Sequence, residues 1–236
     1  MKRESWKKLW PFMKGEQEAA TKLRLVGNKT VLRTKSMDDA EADYSWRIDP
    51  ELAGLDATRP VTLSFSEYLR YHRDDVAYPS PWSVRMAIDT DRGQHIGNCM
   101  YYDINIEKLQ CELGIMIGDR NYWSQGYGSD VVKTALAHIF TTTEIHRVYL
   151  HTLSTNLRAQ KSFTKSGFKP IRVVKRDGYE FILMEIWRKE WEAANPVKTR
   201  RQTKNLTPFS KSETAPQQDT DPLMGSYSKS TQENPQ

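Results

Sequence analysis

The stretch ELGIMI (112–117), GDRNYWSQ (118–125), GYGSD (126–130), VVKTALAHIF (131–140) passes from one structural period to another. Its first part closes a β-like run, Gln110–Ile117. From Val131 onward the apolar residues Val131, Val132, Ala135, Leu136, Ile139 and Phe140 recur at helical spacing, so a helix follows. Between the two lies Gln125-Gly126-Tyr127-Gly128-Ser129. Backbone N–H groups at such a strand-to-helix turn, aided by the helix dipole, can hold a phosphate. Two glycines let the backbone approach a ligand closely. The turn lacks the Lys-Ser/Thr ending of a nucleotide P-loop and the strand–helix–strand setting of a dinucleotide fold.

Outward from this stretch, strands and helices alternate. Upstream, Ser83–Asp89, Gln94–Asn105 and Gln110–Ile117 are separated by Asp91-Arg92-Gly93 and Glu107-Lys108, the pattern of an antiparallel meander. Thr30–Thr34 alternates like a strand. Ser36 with Asp39 three residues later reads as a capping box that opens a helix to about Trp46, and Ser64 with Glu67 opens a second through Tyr71. Downstream, Arg147–Leu153 is a strand and Asn156–Ser166 a helix closed by Gly167. Phe168–Lys175 and Tyr179–Trp187 form a hairpin around Asp177-Gly178. The expected order is β-α-α-β-β-β-α-β-α-β-β, an α/β (α+β) chain.

Length and charge set its limits. A chain of 236 residues fits one domain with appendages. Residues 1–24 carry seven Lys/Arg against three Glu, and residues 196–236 carry six against four Asp/Glu, so the net charge of +5 belongs to the flanks. A near-neutral middle argues against nucleic-acid binding by the core. We therefore expect a poorly ordered basic arm (1–24), a core domain (25–195), and a tail (196–236) whose Ser, Thr, Gln, Pro and Lys offer too little to bury and leave it disordered. The flanks offer a contact to a polyanion such as the ribosome, although solvated charge is the simpler reading. Cys99 and Cys111 cannot build a disulfide framework and read as small buried hydrophobes. With no run of about 20 apolar residues and no cleavable signal pattern, a cytoplasmic protein without a membrane span is expected.

The ordered motifs Glu112–Ile117, Tyr122-Trp123-Ser124-Gln125-Gly126-Tyr127-Gly128, His146-Arg147-Val148, Asn156-Leu157-Arg158-Ala159 and Ser166-Gly167-Phe168 resemble the GNAT superfamily of N-acetyltransferases. Together with Asp38-Asp39-Ala40, Trp46-Arg47 and Asp49-Pro50 they resemble the branch that acetylates ribosomal-protein N-termini, and the likeness covers most of residues 25–190. The resemblance implies a GNAT fold with a mixed, mostly antiparallel central sheet flanked by helices. It implies acetyl-CoA as cosubstrate, no metal, and a primary amine as acceptor, either a protein N-terminus or a small molecule. Gln125, Gly126, Tyr127, Gly128 and Ser129 would bind the pyrophosphate through main-chain N–H groups. The edge of Ile115, Met116 and Ile117 would pair with the pantetheine amides, as an added strand does, and Asn156 would bond the same arm. Trp123 stands where much of the superfamily has Gln or Arg, which points to packing in place of a polar contact.

Acetyl transfer needs a neutral amine, yet a Lys amine has a pKa of about 10.4 and a chain N-terminus about 7.7–8.0. Glu112 stands at the family position of the general base; a polar strand residue facing the cleft is the alternative. Seven residues after Asn156, where the family usually has a Tyr as general acid, this chain has Phe163. A phenyl ring donates no proton, although a thiolate from a thiol of pKa about 8.5 leaves without help. A catalytically silent module that binds acyl-CoA or a protein partner is therefore the second reading. Asp49, Glu51 and Asp56 could draw a cationic amine. His138, His146 and His151 lack metal-ligand spacing and read as satisfied core or rim groups, and Tyr122 and Tyr127 as packing for CoA.

Overall fold

In the computed structural model, which describes residues 23–196, eight strands form one sheet in the order β1-β2-β3-β4-β5-β6-β8-β7. They are β1 (Arg24–Val26), β2 (Thr30–Thr34), β3 (Val84–Thr90), β4 (His95–Asn105), β5 (Gln110–Ile117), β6 (Arg147–Leu153), β7 (Lys169–Arg176) and β8 (Tyr179–Trp187). The helices are α1 (Ala40–Arg47), α2 (Pro50–Leu55), α3 (Phe65–Ala77), α4 (Tyr127–Thr142), α5 (Leu157–Lys165) and α6 (Arg188–Ala194). Among these strands only β5 and β6 pair in parallel, which requires a long crossover, and α4 supplies it. The β7–β8 turn places Asp177 and Gly178 at φ 52° and 81°, the doubly left-handed turn that matches strand twist.

The expected order is present, with three additions. β1 has three residues, too few to show alternation. α2 is a single short helix, although Pro50 stands in its first turn and Asp49 caps it, accepting from the N–H groups of Glu51 and Leu52. α6 continues from β8 without a break. α3 runs to Ala77, past the expected end near Tyr71. Arg24, placed at the end of the expected arm, opens β1. Residues 1–22 of that arm and 197–236 of the expected disordered tail lie outside the described residues. Among the described residues no helix is long and apolar enough to cross a membrane.

Strand alternation divides the sheet into two unlike faces. On one, Leu32, Ile88, Cys99, Leu113, Val148 and Leu150 pack with Val131, Val132, Ala135, Leu136 and Ile139 of α4 in a single buried cluster. Each such side chain taken from water contributes about 1.5–3 kcal/mol. Both cysteines are buried and unbridged, and burial pushes the Cys99 thiol up to about 12, which keeps it unreactive.

The opposite face carries Arg33, Asn98 and Met116 in register and is tied to α1 by charge. Arg33 forks onto Asp39 at 2.6 and 2.9 Å and reaches Asp89 at 2.6 Å. Asp43 accepts from Asn98 Nδ2 at 2.7 Å and bonds Lys35, with His95 Nε2 at 3.3 Å. Burial would lift the Asp43 carboxyl, but His95, Lys35 and Asn98 outweigh it and hold it at about 2.

Candidate active site

The glycine turn closes β5 and opens α4. Gly126 is the N-cap residue at φ 87°, a left-handed conformation that suits glycine. Among the described residues no side chain caps this 16-residue helix, and the first-turn N–H groups of Tyr127, Gly128 and Ser129 project from its positive end without intrahelical partners. A Cβ on Gly128 would stand 3.3 Å from Ser162 Oγ and 3.6 Å from Ile115 Cδ1, which brings β5, the turn and α5 to one place. The Ser129 and Ser162 hydroxyls bond each other at 3.0 Å. Tyr122 and Tyr127 meet edge to face, ring centres 4.9 Å apart.

A carboxylate absent from the expected site residues braces this turn. Asp130 accepts from the backbone N–H groups of Asn28, Lys29 and Thr30 at 2.9–3.0 Å and from the Thr30 hydroxyl at 2.7 Å. Burial alone would raise the Asp130 carboxyl, but these four donors outweigh it and hold it below the usual carboxylate range. The clasp places Lys29 at the turn, where Nζ donates to Gln125 O at 2.8 Å and lies 5.4 Å from the centre of the Tyr127 ring.

From the turn, β5 leads back to a fork. Its register with β6 covers Gln110 to Glu112 and ends at the pair Glu112–Tyr149. Beyond it the β6-side edge of Leu113 to Ile117 has no strand partner among the described residues. Ile115 faces α4, Met116 faces the cleft lined by Trp46, Leu52 and Ala53, and the Ile117 carbonyl accepts from Trp123 Nε1 at 2.7 Å. The expected packing role of Trp123 has a definite form: the Arg158 guanidinium lies 3.4 Å from its ring centre. Glu112 is 8% exposed and sits on the face opposite the α4 core. Its neighbours there are Tyr102, opposite it on β4, and His151, whose Nδ1 lies 2.9 Å from Glu112 Oε1. Burial first, and the Glu112 charge second, push the Tyr102 phenol up, so it stays protonated at neutral pH.

Other expected residues are placed less openly. Asn156 caps α5, its Oδ1 accepting from Ala159 N at 3.1 Å, which leaves its amide nitrogen for another partner. Phe163 is 5% exposed and belongs to the buried cluster, meeting Phe168 with ring centres 5.9 Å apart. Of the three acids expected to draw a cationic amine, Asp49 and Glu51 already pair with Arg120 at 2.8 and 2.7 Å, and Asp56 faces Arg47 at 3.4 Å. The first two share one guanidinium, which offsets one of their two charges and leaves less to draw a cationic amine than two free acids would.

The model of the acetyltransferase (GNAT) domain family matches residues 29–169, from the β1–β2 turn through the glycine turn to the start of β7. The chain belongs to the GNAT acetyltransferase family. An uncharacterised N-acetyltransferase, p20, of Bacillus licheniformis is 25% identical over 149 residues, which is 61% of this chain and 83% of the relative. Among solved GNAT folds, spermidine N-acetyltransferase from Vibrio cholerae, in complex with CoA and spermine, superposes with a TM-score of 0.61 at 18% identity, covering 69% of this chain and 97% of that one. Aminoglycoside acetyltransferase AAC(6')-Ib, in complex with coenzyme A, gives 0.59 at 16% identity over 70% of this chain and 98% of that one. At these identities the structures establish the GNAT fold and leave the acceptor open.

Proposed function

We propose that this chain is an acetyl-CoA-dependent N-acetyltransferase in which the acceptor amine attacks the thioester directly. One observation carries the reading: an unpaired strand edge runs from Glu112 at the β5–β6 fork to an uncapped helix N-terminus at Gly126. Those features fit the cosubstrate. The peptide groups on the β6-side edge of Ile115 to Ile117, apart from the Ile117 carbonyl held by Trp123, suit an amide-bearing arm, and the N–H groups of Tyr127, Gly128 and Ser129, with Gln125 and Gly126, suit a pyrophosphate. The Asn156 amide nitrogen adds a donor for the arm. Acetyl-CoA, when bound, supplies the carbonyl carbon that the amine attacks, with the C–S bond breaking and the sulfur leaving as thiolate.

Glu112 is the general base, taking the proton that an arriving ammonium must lose, a role that typically contributes about 10²–10⁴-fold. No tyrosine hydroxyl serves the leaving sulfur at position 163. The acceptor is a primary amine on a small molecule or a protein N-terminus; the motif likeness to the branch that modifies ribosomal-protein N-termini supports the second, and the polyamine and aminoglycoside enzymes of like fold support the first.

Calorimetric titration of the full chain with acetyl-CoA, followed by mass spectrometry on an amine and peptide library, tests the proposal. Binding and one acetylated product class are expected; no binding at high micromolar acetyl-CoA would sink it. The second reading, a silent module, is favoured only by the buried Phe163. It requires binding without transfer to any amine, and no gain in Phe163→Tyr. If that substitution raises turnover strongly, the silent module is excluded.

A further inference from the structure

Glu112 is held at the fork by an interaction that its place on β5 does not explain. Register ends at Glu112–Tyr149, after which the backbones of β5 and β6 no longer bond each other. His151 lies two residues beyond Tyr149, on the same face by alternation. Its Nδ1 reaches back 2.9 Å to Glu112 Oε1. A carboxylate only accepts, so Nδ1 carries the hydrogen in this bond. The Tyr102 phenol also bears on this carboxylate from β4, through charge and a hydrogen bond; the imidazole is the partner bonded to Oε1.

We propose that His151 is a positioning residue for Glu112: its Nδ1–H fixes Oε1 and so sets the orientation in which the carboxylate meets the acceptor amine across the mouth of the fork. The inference rests on the base role given to Glu112 above. Packing sets the ring itself. Tyr149 and Phe181 both meet it edge to face, at 6.0 Å and 85° and at 6.3 Å and 83°, so the imidazole cannot swing away without disturbing two aromatic neighbours. The side chains of His151 and Glu112 are only 17% and 10% exposed. Water therefore substitutes poorly for either partner, and a carboxylate released from the ring samples several orientations. A carboxylate held in one orientation is what a base needs when the amine approaches from a single direction.

The test uses two substitutions in the full chain. Asn places an amide nitrogen near the position of Nδ1, whereas Ala removes the donor. His151→Ala is expected to lower kcat about 10- to 100-fold with the acetyl-CoA Kd unchanged, and His151→Asn to recover most of that loss. Wild-type kcat in His151→Ala, or a His151→Asn enzyme as slow as His151→Ala, overturns the proposal. A readout without turnover is the His151 Nδ1–H proton resonance, expected downfield in the wild type and displaced upfield in Glu112→Gln; no displacement overturns the bond itself. If Glu112→Gln turns over as fast as the wild type, the base role fails, while the resonance still reports separately on the contact.

Discussion

The face of the sheet under α4 and the face under α1 carry opposite kinds of interaction. Under α4 the contacts are apolar and nondirectional: Val131, Val132, Ala135, Leu136 and Ile139 are fully buried against aliphatic strand residues. Under α1 they are directional and charged, joining Arg33, Lys35, Asp39, Asp43, Asp89, His95 and Asn98. The first face is expected to supply most of the stability and ends at the glycine turn. The second contains Glu112 and His151. On the proposed function, cofactor grip and proton handling lie on opposite sides of one sheet, so each should respond to substitution independently of the other.

Three substitutions grade this contrast. The largest effect is expected from Leu136→Ala, which removes a fully buried side chain of α4 and should cost about 3 kcal/mol of unfolding free energy, read by denaturant titration. A loss below about 1 kcal/mol would mean that the apolar face does not dominate. Asp43→Asn comes next, at about 2 kcal/mol near neutral pH, because Lys35 and His95 lose the charge they bond. The sign follows from the depressed carboxyl. With a folded value of about 2 against the ordinary carboxyl value of 3.8, the Asp43 contribution is fully present above about pH 4 and disappears as pH falls through about 2. The gap between wild type and variant should narrow over that window, and a constant gap would show that the charge is not what matters. Lys29→Met should be smallest. Lys29 is exposed, so the acetyl-CoA KM should rise no more than about 5-fold, and less in high salt; a salt-independent rise would indicate packing on Tyr127 instead.

The same contrast explains what could be read from the sequence. α4 was legible because its core positions repeat within a few residues of one another, and the β3–β5 meander because turn residues separate its runs. The glycine turn followed from adjacency alone. The second face was not legible: Arg33–Asp39 and Lys35–Asp43 are close in the chain, but their links to Asp89, His95 and Asn98 span 52 to 63 residues, and only sheet register brings those together. His151 illustrates this. Its spacing excluded a metal site, but its link to Glu112, 39 residues away, depends on where the parallel pairing ends. Asp49 and Glu51 failed in the opposite direction: as sequence they are free acids beside a cleft, and folded they meet Arg120, about 70 residues on. Asp130 sits inside a strongly patterned helix, and nothing in that pattern points to its partners about 100 residues upstream.

That last carboxylate joins parts of the chain about 100 residues apart. Contacts of such long range require a large loop to close before they return any stabilisation, so they tend to form late in folding. On this ground the first turn of α4 is expected to be secured after its middle, as the β1–β2 hairpin docks. Acetyl-CoA held at that turn would act as a latch on the hairpin, and amide-exchange protection of Lys29 and Thr30 would serve as a gauge of cofactor occupancy.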